Sequence, residues 1–266
     1  MKFIDSDHKA YICNVATYSI IVPSYNQETF IEQTLANLAE LKKKAESTNI
    51  VIQIIVVDNC SNAPTLRIIN SYKDVINNLV IEKDKGQFDA INKGLKLVKG
   101  TYWTWLNTDD LIDIDGFFKI TQYLDLRTNI DYIYGNVAYI DEHSKFHKES
   151  STGELTLEKL VFDDASISQP GSFFRKQFTD TIGELSSFHF AFDYEYILRC
   201  LKNDAKVAKV DANVSYFRYY KTSKSGSQDY RFLKEQLKIN QLYGGRFFSK
   251  LGLFLRLRIL KRMLVN

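Results

Sequence analysis

Four apolar runs, each ending in a polar cluster, constrain this chain more than any other feature. Tyr18–Val22 (YSIIV) runs into Pro23-Ser24-Tyr25-Asn26-Gln27, and Ile50–Val57 (IVIQIIVV) into Asp58-Asn59-Cys60-Ser61-Asn62. The short run Leu79–Ile81 precedes Asp84–Asp89, and Tyr102–Leu106 (YWTWL) ends at Asn107-Thr108-Asp109-Asp110. Short apolar runs bounded by turn residues read as strands; without polar alternation they suit parallel strands covered on both faces. Between them Ile31, Leu35, Leu38 and Leu41 recur at helical spacing, and Pro64 sits where a helix can start. Asp89 opens a further helix carrying Ala90, Ile91, Gly94, Leu95 and Val98. This β-α-β-α-β-α-β order predicts an α/β fold, an open and mostly parallel sheet flanked by helices with right-handed crossovers. Ligands in such sheets bind at the carboxyl ends of the strands, where all four polar clusters fall.

The second half is less regular. Asp131–Ile140 and Val207–Phe217 read as strands, Leu155–Phe162 as a short helix, and Gln169–Arg175 as a turn and strand. Asp193 precedes a helix whose face is Tyr194, Ile197, Leu198 and Leu201, and Tyr230–Tyr243 is helical before Gly244-Gly245 break the chain. No linker separates independent units; we expect one domain over residues 1–225 and a helical extension over 226–266. Only 3 Pro and 12 Gly argue against disorder or a low-complexity class. A net charge of +3 is too mild to point to nucleic acid, and no such partner is expected. Cys13, Cys60 and Cys200 form no CxxC pair, so reduced thiols in a cytoplasmic protein are expected rather than a disulfide frame. No apolar run approaches the length of a membrane span and the N-terminus lacks a secretory signal, which predicts a protein that is soluble or at most peripheral.

The chemistry is written at the strand ends. Val22 is followed by PSYNQ, not by the glycine fingerprint that lets a pyrophosphate approach in nicotinamide-linked dehydrogenases, and no GxxxxGK[ST] loop occurs. Asp109-Asp110 close an aromatic strand with no His or Cys nearby. Two carboxylates there suit a hard cation, Mn²⁺ or Mg²⁺, that shares its remaining positions with phosphate and water; a solvated turn is the plainer alternative.

Taken in order, SIIVPSYNQ (19–27), IIVVDNCSN (54–62), GQFDAINKGLKLVKG (86–100), YWTWLNTDD (102–110), SQPGSFFRK (168–176) and AFDYEYILR (191–199) resemble the family-2 inverting glycosyltransferases with the GT-A fold, of the bacterial surface-polysaccharide type. The resemblance spans roughly residues 18–220. It implies that Pro23, Ser24, Tyr25, Asn26 and Asp58 line a nucleotide pocket, with Asp58 or Asn59 reaching the base. Gln87, Asp89 and Asn92 would be polar contacts over uridine and sugar; Asp89 reads equally as a helix N-cap. Asn107 stands where the family's metal-binding motif has its first acidic residue. This leaves Asp109 for ribose or metal contact and Asp110 for metal ligation. Asp193 matches the family's general base, with Glu195 as competitor and a helix N-cap as the plain reading; an Asp titrating near about 3.9 is ionised and can accept the acceptor's proton. Tyr220 takes a position where the family commonly has His, with Arg218, Lys221 and Lys224 available for phosphate charge. Gln169-Pro170-Gly171 with Phe173, Phe174 and Arg175 resembles the acceptor-side segment.

The implied activity is metal-dependent transfer of a sugar, with inversion, from a nucleoside diphosphate sugar, best a UDP-sugar. The acceptor would be a hydroxyl of a lipid-linked glycan in capsule or O-antigen synthesis at the inner face of the cell membrane. A nucleotide-sugar binding protein without turnover and a nicotinamide-linked oxidoreductase are the alternatives. His143 and His147 read as surface residues, and His189 falls near Asp193. The tail 246–266 mixes Arg and Lys with Phe, Leu and Ile, either as a membrane-surface helix or as a packed helix with snorkelling cations.

Overall fold

The computed structural model describes residues 16–167, 169–221, 223 and 230–264. In chain order the elements are β1 (Ala16–Ser24), α1 (Ile31–Ala45), β2 (Ile50–Asp58), α2 (Ala63–Ser71), β3 (Asn78–Ile81), α3 (Gln87–Leu95), β4 (Tyr102–Trp105), β5 (Leu111–Ile112), α4 (Ile114–Leu126), β6 (Tyr132–Ile140) and β7 (Phe146–Ser150). They continue as α5 (Leu157–Phe162), β8 (Ser172–Arg175), α6 (Lys176–Ile182), α7 (Phe192–Lys202), β9 (Val207–Arg218), α8 (Tyr230–Leu242) and α9 (Lys250–Met263). One sheet runs β3-β2-β1-β4-β8-β6-β9-β5, with β7 on β6. The first four strands in that order are parallel, in register Ser24 beside Asp58 and Asp58 beside Ile81. Their polar ends therefore lie side by side. The chain runs outward from β1 to β3 and returns to β4 on the other side of β1, which makes the β1–β4 boundary the topological switch point.

Strand alternation divides the core cleanly. Ile21, Ile55, Val57, Trp103 and Trp105 face one layer, with α3, α5, α7 and Ile239 of α8. Tyr18, Ile20, Val22, Ile54, Val56 and Tyr102 face the other, with α1, α2 and α4. Leu35, Leu38 and Leu41 of α1 are fully enclosed, and each contributes about 1.5–3 kcal/mol by leaving water. Gly94 lets α3 approach the sheet: a Cβ there would meet Ile21 Cγ2 at 2.5 Å.

Past β4 the sheet changes character. β8 runs antiparallel between β4 and β6, β6 pairs in parallel with β9, and β5 and β7 pair antiparallel at the far side. Helices α4 and α6 had no counterpart in the sequence reading. The polar stretch around His143 and His147 becomes an exposed hairpin, with His147 3.8 Å from Asp141. At the end of the chain, Leu251 and Leu255 of α9 pack with Leu233 of α8. The Asn240 side chain donates to Val161 O, tying α8 to α5. Cys200 is buried and Cys60 exposed; Cys13 lies outside the described residues.

Candidate active site

Two cavities open along the carboxyl edge of the sheet. The larger, about 590 Å³, is walled by the ends of β1 (Pro23, Ser24, Tyr25), β2 (Asn59) and β4 (Asn107, Asp109), by Asp84–Gln87 ahead of α3, and by His189, Phe217 and Tyr220. That volume falls in the range of small-ligand sites. Its loops are locked to each other. Asn26 adopts φ +50°, accepts from Asn62 N through Oδ1 and donates its own N–H to Ser61 Oγ. Asp58, fully buried, accepts from Ser61 N (2.7 Å) and Ser61 Oγ (2.6 Å). Asn59 Oδ1 accepts from Asp84 N at 3.0 Å, which joins the ends of β2 and β3. Asp84 in turn accepts from Gly86 N, and burial raises its carboxyl above the ordinary range. Gly86 takes φ +125°, backbone that a side chain would strain. Ser24 Oγ is buried at this wall without a hydrogen-bond partner.

The end of β4 separates two adjacent carboxylates. Asp109 lines the cavity, and its Oδ2 accepts from Tyr220 OH at 3.0 Å. Asp110 is 0 % exposed; Oδ1 accepts from Arg218 N and Oδ2 from Asn107 Nδ2, both at 2.9 Å. Burial first, and then the neighbouring Asp109 charge, hold its carboxyl well above the usual range. The expectation of metal ligation by Asp110 does not fit this enclosure: its oxygens brace the loop from beneath. Asn107, whose side chain receives from Gln87 Nε2 and donates to Asp110, forms a relay along the cavity floor. Thr34 of α1 pins the same loop through Thr108 O and Asp110 O.

Arg218, expected to meet phosphate charge, borders the larger cavity but is almost wholly buried and held by neighbouring groups. Nε donates to Asp109 O, Nη1 to Asp141 O and Ser144 Oγ, and Nη2 to Gln33 Oε1, with the guanidinium 4.7 Å from the Phe30 ring. Lys85 is an exposed cation on the cavity wall, whereas Lys221 does not line it and Lys224 lies outside the described residues. The donor set suits a hard divalent ion that takes a single protein carboxylate, Asp109, and otherwise phosphate and water. No group of three or more His, Cys, Asp or Glu able to hold a metal occurs among the described residues.

The smaller cavity, about 290 Å³, shares Gln87, Asn107 and Phe217 with the larger. Its wall is aromatic (Trp105, Tyr139, Phe190, Phe192, Tyr219, Phe232), and its polar groups include Gln169, Thr152 and Asp193. Asp193 sits in the first turn of α7, where the helix dipole favours an anion, and accepts from Tyr194 N at 2.8 Å. Ala191 occupies the N-cap, so the capping reading of Asp193 is not realised. Glu195 points elsewhere: Arg199 grips it with two hydrogen bonds (3.1 and 2.6 Å) and Tyr243 OH donates at 2.7 Å. Burial pulls its carboxyl upward, and the bonds and charge of Arg199 with the Tyr243 bond outweigh this, leaving it below the ordinary value. Between the two candidate bases, the cavity receives only Asp193.

Of the other expected contacts, Asn26, Asp58, Asp89 and Asn92 do not line either cavity. Asp89 is not an N-cap, which is Gly86; it accepts from Lys85 N and faces Lys93 at 3.7 Å, shaping the Lys85 turn. Asn92 is buried and exchanges two hydrogen bonds with the Leu185 backbone, 2.9 and 2.8 Å. Phe173 and Phe174 are core residues, Arg175 faces Asp131, and His189 borders the larger cavity. A residue absent from the sequence reading stands out here. Glu235 of α8 accepts from the backbone N–H groups of His189, Phe190 and Ala191 at 2.9, 2.6 and 3.1 Å, and so holds the entry to α7. Its only signal in the sequence is a carboxylate on a polar helix face.

The chain is similar to known proteins in sequence and in fold. A PGL/p-HBAD biosynthesis glycosyltransferase of Mycobacterium tuberculosis is 25% identical over 197 residues, 72% of each chain. Among solved structures, Staphylococcus aureus TarS residues 1–349 in complex with UDP-GlcNAc superposes with a TM-score of 0.67 at 18% identity, covering 93% of this chain and 71% of that one. The mannosyltransferase PcManGT of Pyrobaculum calidifontis, in complex with GDP-Man and Mn²⁺, gives 0.64 at 15% identity, over 91% and 69%. The architecture is the GT-A glycosyltransferase fold. Residues 19–202 match the model of glycosyl transferase family 2, and on that match the chain belongs to this family.

Proposed function

We propose that this glycosyltransferase moves a sugar, with inversion, from a UDP-sugar in the larger cavity to an acceptor hydroxyl in the smaller one. One observation carries the reading: the two cavities meet at Gln87, Asn107 and Phe217, with Asp109 on one side of that junction and Asp193 on the other. The nicotinamide-linked alternative falls with the family match.

Asp193 would take the acceptor proton as its oxygen attacks the anomeric carbon; Glu195 cannot, being tied to Arg199. Ser24, Tyr25 and Asn59 would hold the nucleoside, and Lys85 would meet diphosphate charge. Asp109 would hold Mn²⁺ or Mg²⁺, with Tyr220 OH orienting its carboxylate. Such an ion would supply Lewis-acid neutralisation of the departing nucleoside diphosphate. The aromatic wall suits the apolar faces of a sugar ring, and Gln169 and Thr152 its hydroxyls. Uridine is supported by the UDP-GlcNAc complex of TarS, and GDP is the arm that the PcManGT complex requires in the test. The acceptor class of this reading is a lipid-linked glycan of the bacterial surface, met at the cytoplasmic membrane face; among the relatives, TarS of Staphylococcus aureus is a poly(ribitol-phosphate) β-N-acetylglucosaminyltransferase.

The test is calorimetric titration with UDP, GDP and dTDP, each with Mn²⁺, Mg²⁺ or EDTA. We expect UDP binding that requires the ion. No binding of any nucleotide by the folded protein would overturn the reading, and metal-independent UDP binding would remove the ion from it.

A further inference from the structure

Helix α9 is apolar on two sides, and only one is used. Leu251, Leu255 and Ile259 face α8 and pack with Leu233. Leu253, Leu257, Leu260 and Leu264, recurring at intervals of four, three and four residues, form a second stripe in solvent, 38%, 65%, 55% and 78% exposed. Phe247, Phe248 and Phe254 extend it, with Phe248 82% exposed. Single exposed Leu residues are ordinary, whereas a continuous stripe marks a contact surface. The segment's own charge has one sign: residues 246–264 contain six Arg and Lys and no Asp or Glu, and of these Lys250 is paired with Asp163 at 2.6 Å. The guanidinium groups of Arg256 and Arg258 lie over the Phe247 and Phe254 rings at 4.3 and 5.3 Å, which keeps these cations beside the apolar surface.

We propose that the outward face of α9 docks on an anionic lipid bilayer, with the Leu stripe in the interface and the flanking cations on lipid headgroups. A second copy of the chain is the poorer occupant, because pairing this face with itself would oppose cation to cation. No helix among the described residues is long and apolar enough to cross a membrane, so the contact is peripheral. The position has a consequence for the site. Phe232 of α8 packs against the Leu233–Leu251–Leu255 cluster and also walls the acceptor cavity. Docking therefore brings that cavity to about one helix-packing distance, roughly 10 Å, from the lipid-bound helix. The purpose, though not the contact, rests on the proposed transfer to a lipid-linked acceptor.

Co-sedimentation of the full chain with vesicles tests this, using phosphatidylcholine alone or with about one-third phosphatidylglycerol. We expect binding to the mixed vesicles that weakens about tenfold or more without the anionic lipid. Substituting the exposed Leu253, Leu257 and Leu260 together by Gln is expected to weaken it by about tenfold or more, and Arg258→Gln with Lys261→Gln to do so through charge alone. UDP affinity, read by calorimetry, is expected to stay unchanged in both variants. Absence of binding to anionic vesicles overturns the proposal, as does equal binding by the triple-Gln variant. So does a solution dimer that the triple-Gln variant dissociates while neither protein binds vesicles. Failure to bind UDP would strike the transfer reading and leave the vesicle result standing.

Discussion

The two cavities are built on different principles. The larger is made of loop ends fixed by side-chain bonds to backbone: Asn26 to Asn62 and Asn59 to Asp84 each reach a neighbouring strand's turn, and Asp58 to Ser61 closes its own. Parallel strands in register deliver these turns to one edge, so the wall forms wherever the sheet forms. The smaller is made of side chains from β4, β6, β9, α7 and α8, brought together only by packing. The first kind of wall suits a moiety common to many reactions, and the second suits a variable partner. Lost packing should therefore harm the second cavity more readily than the first.

Five substitutions test that contrast, from the largest expected effect to the smallest. Asp193→Asn is expected to lower transfer by about 10²–10⁴-fold, the scale of a general base, with UDP affinity near wild type. Assay of turnover beside calorimetry checks it, and retained turnover would remove Asp193 from the base role. Arg199→Met is expected to destabilise the fold by about 3–5 kcal/mol at neutral pH, because it leaves the Glu195 carboxylate buried without its partner. The folded Glu195 carboxyl titrates below its unfolded value of about 4.3; the pair's contribution is therefore complete above that pH and fades as pH falls below it. Denaturation of the variant at neutral pH and near pH 3 should show the deficit shrinking in acid; a constant deficit would mean that packing, not charge, holds the site. The neighbouring carboxylates should separate next. Asp109→Asn is expected to weaken UDP binding about tenfold in Mn²⁺ and not in EDTA. Asp110→Asn should instead cost about 1–3 kcal/mol of stability, since its amide would face a donor, and keep the metal dependence. The reverse pattern would return the ligand role to Asp110. Smallest, Glu235→Ala is expected to lower turnover about tenfold by loosening the entry to α7, with UDP affinity unchanged. Equal losses in both readouts would make it a general destabilisation.

Much of the first cavity was legible in the chain. Pro23, Ser24, Tyr25, Asn59, Gln87, Asn107 and Asp109 were all named from strand ends and motif order, and all line it. What misled the reading was adjacency. Asp109 and Asp110 are neighbours in sequence, but the turn between β4 and β5 that carries them sends one carboxylate to the cavity and buries the other beneath it, on Arg218 N and Asn107. Asp58, Asp89 and Asn92 are polar residues at the right edge whose hydrogen bonds turned inward to hold loops. The aromatic wall of the second cavity could not be separated from core aromatics such as Phe173 and Phe174, because aromatic residues serve both purposes with the same local pattern. Glu235 was invisible for another reason: its partners lie more than forty residues away in sequence and are backbone groups, which carry no residue signature.

By itself the sequence determined the parallel half of the sheet, the layering of helices on both its faces and the edge at which chemistry gathers. Those follow from period, turn residues and chirality, which act over a few residues at a time. Only the tertiary structure decided which of two carboxylates lines the larger cavity, which of two acids reaches the smaller one, and which side of α9 is left to solvent. Each of those depends on what arrives from a distant segment: Arg218 above Asp110, Arg199 and Tyr243 around Glu195, and Leu233 against Leu251 and Leu255. Burial and pairing are properties of the assembled packing, and no local pattern encodes them.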